Sequence, residues 1–572
     1  MKSRIGVFTE KPQEYPKGLN PLYTIKKEQF KSSIFDFLRS IVKFSELNDA
    51  SPSATCDLLV IGGGATGLGV ALQAALEGRR VVLVEARDFA SGTSSRSTKL
   101  LHGGVRYLAQ GRLRLVREAL RERATVLGLA PHLAQPLSFV VPASGWLSWA
   151  WTGLGLKVYE WLSGRLSLGA TVALSRQALT RCLPGLPQMV ARSVGGMRYW
   201  DGQFEDARLA LALAKTARQA GASLHNHTRV TALTPSQQGW QVSLLDEHSG
   251  EALTVNALCV VNAAGVWVDA LRRMALSHGA GAQPVKALVK PSQGVHIVVS
   301  RTCLPLDEAV LIPRTSDGRV LFAVPWLGST VIGTTDTPRN DAPQDPLPLQ
   351  DELDFLFRES HKSLGVTLQP ADVRSVWVGL RPLVDASDAG ATSQISREHL
   401  ICREARGLFT VTGGKWTTYR VMAEEVMQAI QSHADLPPAP PGSGDTPHHR
   451  LVGAPKADEQ ANVILQPISA APGLHLWGTE AGQVLALPGA HHVLGMGLTE
   501  AMVCFAARHE WAVTVEDMLA RRWRALFLDA RQAALMAPAV ATLLQAETGI
   551  DPRLDDFLEL CKRYTLTDSQ IG

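Results

Sequence analysis

Residues 56–86 carry the pattern that most restricts the fold of this chain, CDLLVIGGGATGLGVALQAALEGRRVVLVEA. An apolar run, a glycine cluster, a stretch with helical spacing and a second apolar run follow one another, which predicts strand, turn, helix and strand. Gly62 permits the tight turn, Gly64 lets the backbone approach a pyrophosphate, and Gly67 lets the helix pack closely on the strand. Glu85 ends the second strand, where a carboxylate accepts ribose hydroxyls. The unit therefore predicts a dinucleotide site in which the helix N-terminus faces the phosphates.

The 572 residues are too many for one hydrophobic core, and two or three domains are expected. Residues 1–54 differ in composition from the rest and are interpreted as an N-terminal extension of unknown role. Strand and helix patterns alternate across 55–435, which indicates an α/β architecture. A proline-rich linker at 436–450 is followed by 451–572, where apolar residues recur at helical spacing and predict a separate all-α domain.

Charge and cysteine usage exclude several functional classes. A net charge of +4 spread over a large surface is too dilute for a nucleic-acid-binding protein. The seven cysteines are scattered without a C-x-x-C pair, so we expect no metal site, no disulfide framework and a reducing, cytosol-facing compartment. The opening residues lack the apolar segment of a secretory signal, and the mature chain is expected to start near Met1.

Residues 91–107, SGTSSRSTKLLHGGVRY, are rich in hydroxyls, glycines and basic groups and almost without apolar periodicity. The segment begins six residues after Glu85, so we expect it to run beside a bound dinucleotide rather than to form core. A solvated surface loop is the alternative that composition alone leaves open. The glycines and Glu85 do not by themselves separate NAD from FAD.

Seven motifs in matching order and spacing resemble the FAD-dependent glycerol-3-phosphate dehydrogenases. They are the glycine turn, TSSRSTKLLHGGVRYL (93–108), FEDARLA (204–210), NAAGVWVD (262–269), IGTTDT (332–337), GLRPL (379–383) and GGKWTTYR (413–420). The resemblance covers about residues 55–530 and leaves out the first 54. Glu205 stands where the family's D-D-A-R pattern has an aspartate, and we expect this departure to leave the chemistry intact.

The resemblance implies an α/β fold like that of D-amino-acid oxidases. A glutathione-reductase-like Rossmann domain for noncovalent FAD would be interleaved with an antiparallel-sheet substrate domain, and an all-α C-terminal domain would follow. The cofactor-binding residues that it implies are Gly62, Gly64, Gly67, Glu85, Thr93, Ser94, Ser97, Lys99, Leu101, His102, Val230, Ala264, Gly265, Gly414, Lys415, Trp416 and Thr417.

The implied activity is oxidation of sn-glycerol 3-phosphate to dihydroxyacetone phosphate by hydride transfer to flavin N5, with the electrons passed to membrane quinone. The substrate would be a dianion, for which the planar fork of arginine is the best-matched clamp. By the family pattern, Arg381 and Arg397 are the strongest candidates for this contact, with Arg106 and Tyr107 nearby.

Proton transfer needs a group whose pKa a buried site can lower, and His102 and Lys415 are the candidates. Lys415 would also contact the substrate. Arg381, whose pKa is too high for a base, would stabilise negative charge on the substrate oxygen. Two alternatives stay open: a glycerol-3-phosphate oxidase or another FAD-dependent oxidase of a small anion that uses oxygen, and a flavin-binding or assembly protein without catalysis.

Four of the thirteen tryptophans lie within sixteen residues, and they are Trp146, Trp149, Trp151 and Trp161. Tryptophan favours the headgroup level of a bilayer. The family resemblance, whose members pass electrons to membrane quinone, implies that the cluster binds peripherally to the inner face of the cytoplasmic membrane. An aromatic core is the alternative, and the amphipathic run Phe30–Ile41 is a second candidate for the membrane contact. Glycines and serines interrupt the apolar stretch 137–156, which we interpret as non-spanning. Self-association as a homodimer is left open.

Overall fold

The computed structural model describes residues 55–108, 111–276, 284–384, 399–433, 435–439, 444–456 and 463–566, except for the side chains of Arg106 and Tyr107. Arg397 and the run Phe30–Ile41 lie outside the described residues. In chain order the strands are β1 (Thr55–Ile61), β2 (Val81–Val84), β3 (Leu100–Leu101), β4 (Ala134–Ala143), β5 (Val172–Ser175), β6 (Gly195–Phe204), β7 (Ser223–His225), β8 (Thr228–Ser236), β9 (Gly239–Asp246), β10 (Ala252–Asn262), β11 (Val289–Ser300), β12 (Ala309–Ile312), β13 (Leu321–Trp326), β14 (Ser329–Gly333), β15 (Thr337–Pro338), β16 (Val373–Val384), β17 (His399–Ala405), β18 (Leu408–Gly413), β19 (Val493–Gly495) and β20 (Leu498–Thr499). The α-helices are α1 (Ala65–Leu76), α2 (Val105–Leu108), α3 (Leu113–Leu129), α4 (Trp146–Ser163), α5 (Arg176–Cys182), α6 (Pro187–Ala191), α7 (Asp206–Gln219), α8 (Val268–Leu276), α9 (Gln350–Glu359), α10 (Tyr419–Ser432), α11 (Ala481–Leu485), α12 (Glu500–His509), α13 (Ala525–Leu528), α14 (Ala530–Thr548) and α15 (Leu554–Tyr564).

Eight of the described strands form a mainly parallel sheet, in the order β17-β18-β10-β1-β2-β7, with the β8–β9 hairpin joined through β9 to β10. β1 pairs in parallel with β2 and with β10, and β10 pairs in parallel with β18. Every residue of β2, VVLV, is buried, because a central parallel strand is covered on both faces. Helix α1 contacts β1 and β2 and also helices α7 and α10. This is the Rossmann-type sheet that the glycine unit predicts.

Ten of the described strands form a second sheet, in the order β15-β11-β14-β13-β12-β4-β6-β3, with β16 beside β11 and β5 beside β6. Its strand pairs are antiparallel except for β4 and β12, which run in parallel. The apolar runs VHIVVS (295–300), VLFAVPW (320–326) and STVIGTT (329–335) supply residues of β11, β13 and β14. Strands of the two sheets alternate along the chain, so the interleaved fold is confirmed, with one parallel pair in the second sheet.

The C-terminal region, residues 463–566, is mainly helical, as its apolar spacing predicts. Its buried Trp477 and Trp523 belong to the same hydrophobic cluster as Leu68 of α1 and Val426 of α10. The apolar faces of this region and those of the Rossmann helices therefore cover one another. The residue boundaries drawn from the sequence remain predictions.

Candidate active site

The glycine turn between β1 and α1 is shaped by two close backbone approaches. Gly62 has a φ of +114°, and a Cβ there would lie 2.6 Å from the carbonyl oxygen of Ala263. A Cβ on Gly67 would lie 1.9 Å from the carbonyl oxygen of Gly62, so only glycine lets the first turn of α1 pack this closely. The N-terminus of α1 opens into a cleft, where its orphan N–H groups favour an anion.

Glu85 follows β2 and closes one side of the turn. Its carboxylate accepts hydrogen bonds from the N–H of Gly63 at 2.6 Å and of Arg87 at 3.0 Å. Burial raises the pKa of Glu85, and the two backbone donors oppose that effect. The side chain lines the cleft beside the helix N-terminus, which is the geometry required to accept the hydroxyls of a bound ribose.

The cleft has a volume of about 620 Å³ and lies between the two sheets. This volume is typical of a cofactor or small-molecule site. The predicted site residues that line it are Gly62, Gly64, Glu85, Thr93, Ser94, Ser97, His102, Val230, Ala264, Gly265, Arg381, Gly414, Lys415, Trp416 and Thr417. Residues that lie more than 300 positions apart in the sequence thus meet around one space.

The segment Thr93–Ser97 connects three parts of the cleft wall. The hydroxyl of Ser94 accepts a hydrogen bond from the N–H of Ala65 at 2.9 Å, at the start of α1. The hydroxyl of Thr93 donates to the carbonyl of Leu380 at 2.6 Å, and Trp416 Nε1 donates to the carbonyl of Ser94 at 2.7 Å. The segment therefore runs along the cleft and joins the glycine turn to β16 and to the residues after a second glycine turn, Gly413–Gly414. It is not a solvated loop.

Three residues predicted to bind the cofactor do not line the cleft. Gly67 lies under the turn, where it performs the packing role predicted for it. Leu101 is fully buried in β3 and belongs to the hydrophobic core. Lys99 is also fully buried, and its Nζ donates to Asp206 Oδ2 at 2.7 Å and to the carbonyl of Ser95 at 2.8 Å. The side chains of Lys99 and Leu101 therefore point into the protein interior, and the assignment of these two residues to the cofactor site remains a prediction.

Arg381 lies on β16 with a quarter of its side chain exposed. Its Nη1 is 3.1 Å from Asp336 Oδ1, and its Nη2 donates to Thr334 Oγ1 at 3.1 Å and to the carbonyl of Thr335 at 3.0 Å. A Cβ on Gly294 would lie 2.4 Å from Nη2, so the glycine makes room for the guanidinium across the sheet. These contacts fix the direction of the positive charge at the cleft wall.

His296 on β11 is a cleft residue that the sequence interpretation missed. Its Nε2 is 3.0 Å from Thr98 Oγ1, and its ring stacks on Trp377 with 4.1 Å between ring centroids. Nδ1 has no hydrogen-bond partner among the described residues. Burial, together with the positive charges of Lys99 and Arg381, lowers the pKa of His296 well below 6.5, so the ring is neutral. The sequence feature that could have identified His296 is its position as the single titratable residue in the apolar run VHIVVS (295–300).

His102 lines the cleft and precedes the tightly packed Gly103. The N–H of Gly103 donates to the hydroxyl of Tyr159 at 2.9 Å, and that hydroxyl donates to Asp201 Oδ2 at 2.8 Å. Arg123 completes this buried network with a bond of 3.0 Å to Asp201 Oδ1. Helix α4, which carries Tyr159, therefore fixes the backbone beside His102. Arg106 and Tyr107 follow in α2.

Two family models match the chain. Residues 57–429 match the model described as FAD dependent oxidoreductase, and residues 445–554 match the C-terminal domain of alpha-glycerophosphate oxidase. The chain is 37% identical over 542 residues to the mitochondrial glycerol-3-phosphate dehydrogenase of Macaca fascicularis, across 89% of this chain and 73% of that protein. It is 36% identical over 539 residues to the mitochondrial enzyme of Arabidopsis thaliana, across 88% of this chain and 84% of that protein.

Solved structures show the same relationship. The glycerol-3-phosphate dehydrogenase of Bacillus halodurans, complexed with FAD, matches with a TM-score of 0.70 at 29% identity, covering 92% of this chain and 98% of that one. The FAD-bound L-alpha-glycerophosphate oxidase of Mycoplasma pneumoniae matches with a TM-score of 0.52 at 18% identity, covering 66% of this chain and 95% of that one. At that identity the second comparison supports the fold alone.

The cleft fits the FAD that both solved relatives hold. The close approaches at Gly62 and Gly67 leave backbone N–H groups for a pyrophosphate, and Glu85 lies where a ribose would bind. A second glycine turn, Gly413–Gly414, precedes α10 and lines the opposite part of the cleft. The orphaned Nδ1 of buried His296 also indicates a polar ligand, since such atoms are normally hydrogen-bonded.

Proposed function

The chain belongs to the family of FAD-dependent glycerol-3-phosphate dehydrogenases, and on that premise we propose that it oxidises sn-glycerol 3-phosphate to dihydroxyacetone phosphate and delivers the electrons to a membrane quinone. The observation that carries the proposal is the meeting of the glycine turn with Arg381, His296 and Lys415 around one cleft. A dinucleotide site, a fixed guanidinium and a neutral imidazole are the groups that oxidation of an anionic secondary alcohol needs.

The reaction removes a hydride from C2 of the substrate and a proton from its hydroxyl, so that a carbonyl forms. When bound, FAD supplies the two-electron acceptor at flavin N5. The neutral ring of His296 takes the hydroxyl proton, because its lowered pKa leaves the imidazole unprotonated. Arg381 stabilises the negative charge that develops on the same oxygen. His102 and Lys415, which also line the cleft, are the alternative proton acceptors.

Phosphate binding falls to the basic side chains around the cleft. Lys415 lines it, and Arg106, Tyr107 and Arg397 are the remaining candidates from the family pattern. The phosphate group is not altered by the reaction. Contacts from Arg106 and Arg397 would therefore stabilise the ground state and the transition state equally. Their loss is therefore expected to appear mainly in KM.

Anaerobic mixing of the purified holoprotein with sn-glycerol 3-phosphate tests the proposed reaction directly. The visible absorbance of oxidised flavin should bleach and return when a quinone analogue is added. Glycerol without phosphate and inorganic phosphate serve as controls, and neither should bleach the flavin. An oxidised flavin that stays unchanged in the presence of the substrate would reject the proposed activity.

An oxidase is the second candidate, because residues 445–554 match a domain described from alpha-glycerophosphate oxidase. An oxidase would return its electrons to oxygen and form hydrogen peroxide. Aerobic turnover without quinone, followed by a peroxide assay, separates the two acceptors. Peroxide formed at the rate of substrate consumption would favour the oxidase, and turnover that requires quinone would favour the dehydrogenase.

Helix α4 supports the proposed peripheral membrane contact. Its buried residues, Gly153, Leu156, Tyr159 and Ser163, form one narrow stripe, while large apolar side chains point outward. The exposed ones are Trp146, Leu147, Trp151, Leu154 and Trp161, with exposed fractions between 59% and 75%. Helix α3, which contacts α4, and the residue just before it add exposed arginines that suit anionic headgroups, and they are Arg112, Arg114, Arg117 and Arg121. Across the described ranges, no helix combines the length and apolar character that a bilayer crossing needs.

The tryptophan cluster is divided between the core and the surface, and this division decides which variant tests the membrane contact. Trp149 is half-buried and packs on the core cluster, whereas Trp146, Trp151 and Trp161 are exposed. Replacing those three by serine should release the protein from liposomes, at ~25 cal/mol per Å² of apolar surface. Turnover with a soluble dye acceptor should stay at the wild-type level. Retained cosedimentation with liposomes would place the membrane contact elsewhere.

Noncovalent FAD is expected from the lining of the cleft, since no cysteine is found in its described part. Acid or heat denaturation of the purified protein should release the flavin into the supernatant in equimolar amount. The measurement is the absorbance of the supernatant after the precipitate is removed. Flavin retained in the pellet would contradict noncovalent binding and would point to His102 or His296, the histidines that line the cleft.

A further inference from the structure

A buried ionic cluster joins the C-terminal region to the loop that follows Glu85. Asp88 has no exposed surface, and its Oδ1 accepts a hydrogen bond from Arg522 Nη2 at 2.9 Å. Its Oδ2 accepts from Arg522 Nη1 and from Arg521 Nε. Both arginines come from one turn of π-helix, Asp517–Arg522, and are 3% exposed or less. The carboxylate of Asp88, in the loop after β2, is thus neutralised entirely within the protein.

The loop that Asp88 begins is attached directly to the glycine turn. The N–H of Ala90 donates to the carbonyl of Gly63 at 2.9 Å, and the N–H of Ser91 donates to the carbonyl of Asp88 at 3.1 Å. Phe89 packs so closely on Gly63 that a Cβ there would lie 2.7 Å from its ring. The same ring meets Trp511 edge-on at 5.3 Å. The loop is therefore held between the C-terminal region and the turn that receives the pyrophosphate.

A third arginine holds the second segment that lines the cleft. Arg524 is fully buried, and its Nη2 donates to the carbonyl of Ser95 at 2.7 Å. Its Nε lies 2.9 Å from Glu205 Oε1. Ser95 directly follows Ser94, whose hydroxyl binds the N-terminus of α1. Glu205, the departure from the family pattern, thus forms a buried ion pair with Arg524.

Arg521 and Arg522 neutralise the negative charge of this cluster without a metal ion. Asp88, His227 and Asp517 place their ligand atoms within 4.8 Å of one another, which is a spacing that could hold a cation. The guanidinium groups of Arg521 and Arg522 already bind both carboxylates. His227 is hydrogen-bonded to Asp517 at 3.0 Å. A divalent cation would therefore face two fixed positive charges, and the cluster is a structural ion network.

We propose that Arg521, Arg522 and Arg524 form a clamp through which the C-terminal region holds both cofactor-lining segments in the conformation that binds FAD. None of the three lines the cleft. A buried ion network of this kind is strongly weakened when one partner is removed, because the remaining charges lose their compensation. The affinity for FAD is thus set partly by residues more than 400 positions away from the glycine turn in sequence.

Arg522→Lys tests the clamp, since lysine keeps the positive charge but loses the bidentate hydrogen bond to the Asp88 carboxylate. The FAD dissociation constant of the reconstituted protein, measured by flavin fluorescence, should rise about tenfold or more. Arg508→Lys is the matched control, because Arg508 makes a bidentate pair with Glu547 inside the C-terminal region, with both bonds at 2.6 Å. The control should change the dissociation constant by less than about twofold.

The thermal midpoint of the apoprotein separates a clamp from a general loss of stability. If Arg522→Lys lowers this midpoint but binds FAD as tightly as the Arg508→Lys control, the proposal is overturned. The test uses FAD binding alone, so it does not depend on the substrate or acceptor proposed above.

Hydrogen exchange on the wild-type protein keeps the proposal testable if Arg522→Lys does not fold. FAD should slow amide exchange in residues 516–528, although none of them lines the cleft. If the C-terminal region holds the cofactor-lining segments in place, FAD bound to those segments must in turn hold the C-terminal region in place. Equal exchange with and without FAD in this segment would reject the clamp, and slowed exchange would support it.

Discussion

Replacing His296 by asparagine is expected to lower kcat about 10²- to 10⁴-fold while FAD stays bound. Asparagine keeps a polar side chain of similar reach but cannot accept a proton at this position. Burial and the nearby positive charges of Lys99 and Arg381 keep the ring neutral before the reaction, so that it starts unprotonated. Turnover with a soluble dye acceptor measures the effect, and the flavin content of the variant is measured beside it.

The pH dependence distinguishes a base from a residue that only supports the fold. His296 acts as a base only when unprotonated, so kcat/KM of the wild-type enzyme should be level near neutral pH and fall at acidic pH, below 6.5. This acid limb should be absent from the residual activity of His296→Asn. His475→Asn is the control, because His475 is equally buried but lies in the C-terminal region. A kcat for His296→Asn close to that of this control would refute the assignment.

Arg381→Lys is expected to reduce kcat/KM about ten- to a hundredfold without loss of FAD. Lysine can keep the pairing with Asp336 but cannot at the same time donate to Thr334 and to the carbonyl of Thr335. The charge then loses its fixed direction, which matters most where negative charge develops on the substrate oxygen. Steady-state kinetics with sn-glycerol 3-phosphate give the size of the loss.

Arg198→Lys is a close control for that experiment. Arg198 lies on the same sheet, is 30% exposed, and forms a bidentate pair with Glu308 at 2.8 Å and 2.6 Å outside the cleft. Its replacement should leave kcat/KM within about twofold of wild type. If Arg381→Lys lost FAD while the flavin that remained turned over normally, Arg381 would belong to the cofactor site instead.

The cofactor turn could be predicted because its constraints are local. Gly62 needs a positive φ, and Gly67 must pass within van der Waals contact of the strand, so a short sequence window contains the whole requirement. The same holds for β2, whose four apolar residues predict a strand buried on both faces. Composition and the short distance from Glu85 predict the segment 91–107 beside the cofactor, and Thr93, Ser94 and Ser97 of this segment line the cleft.

The direction in which an individual side chain points could not be predicted from the sequence. Lys99 and Leu101 follow Ser97 closely, yet both turn into the interior, because Lys99 finds Asp206 and the aromatic rings of Trp326 and Trp377 there. Trp149 likewise differs from its neighbouring tryptophans only through the strands that α4 packs against. Composition identified these groups as candidates without indicating which way each one faces.

The residue pattern was enough to predict the dinucleotide turn and the helical C-terminal region, and the family resemblance added the antiparallel second sheet. Only the tertiary structure brought His296 to Thr98, 198 positions away, and Arg522 to Asp88, 434 positions away. The reason is physical: periodicity reports which face of an element is apolar, but not which distant side chain that face will meet. Those partners are fixed when the two sheets and the C-terminal helices pack, and that packing decides which titratable groups face the cleft and which arginines support it.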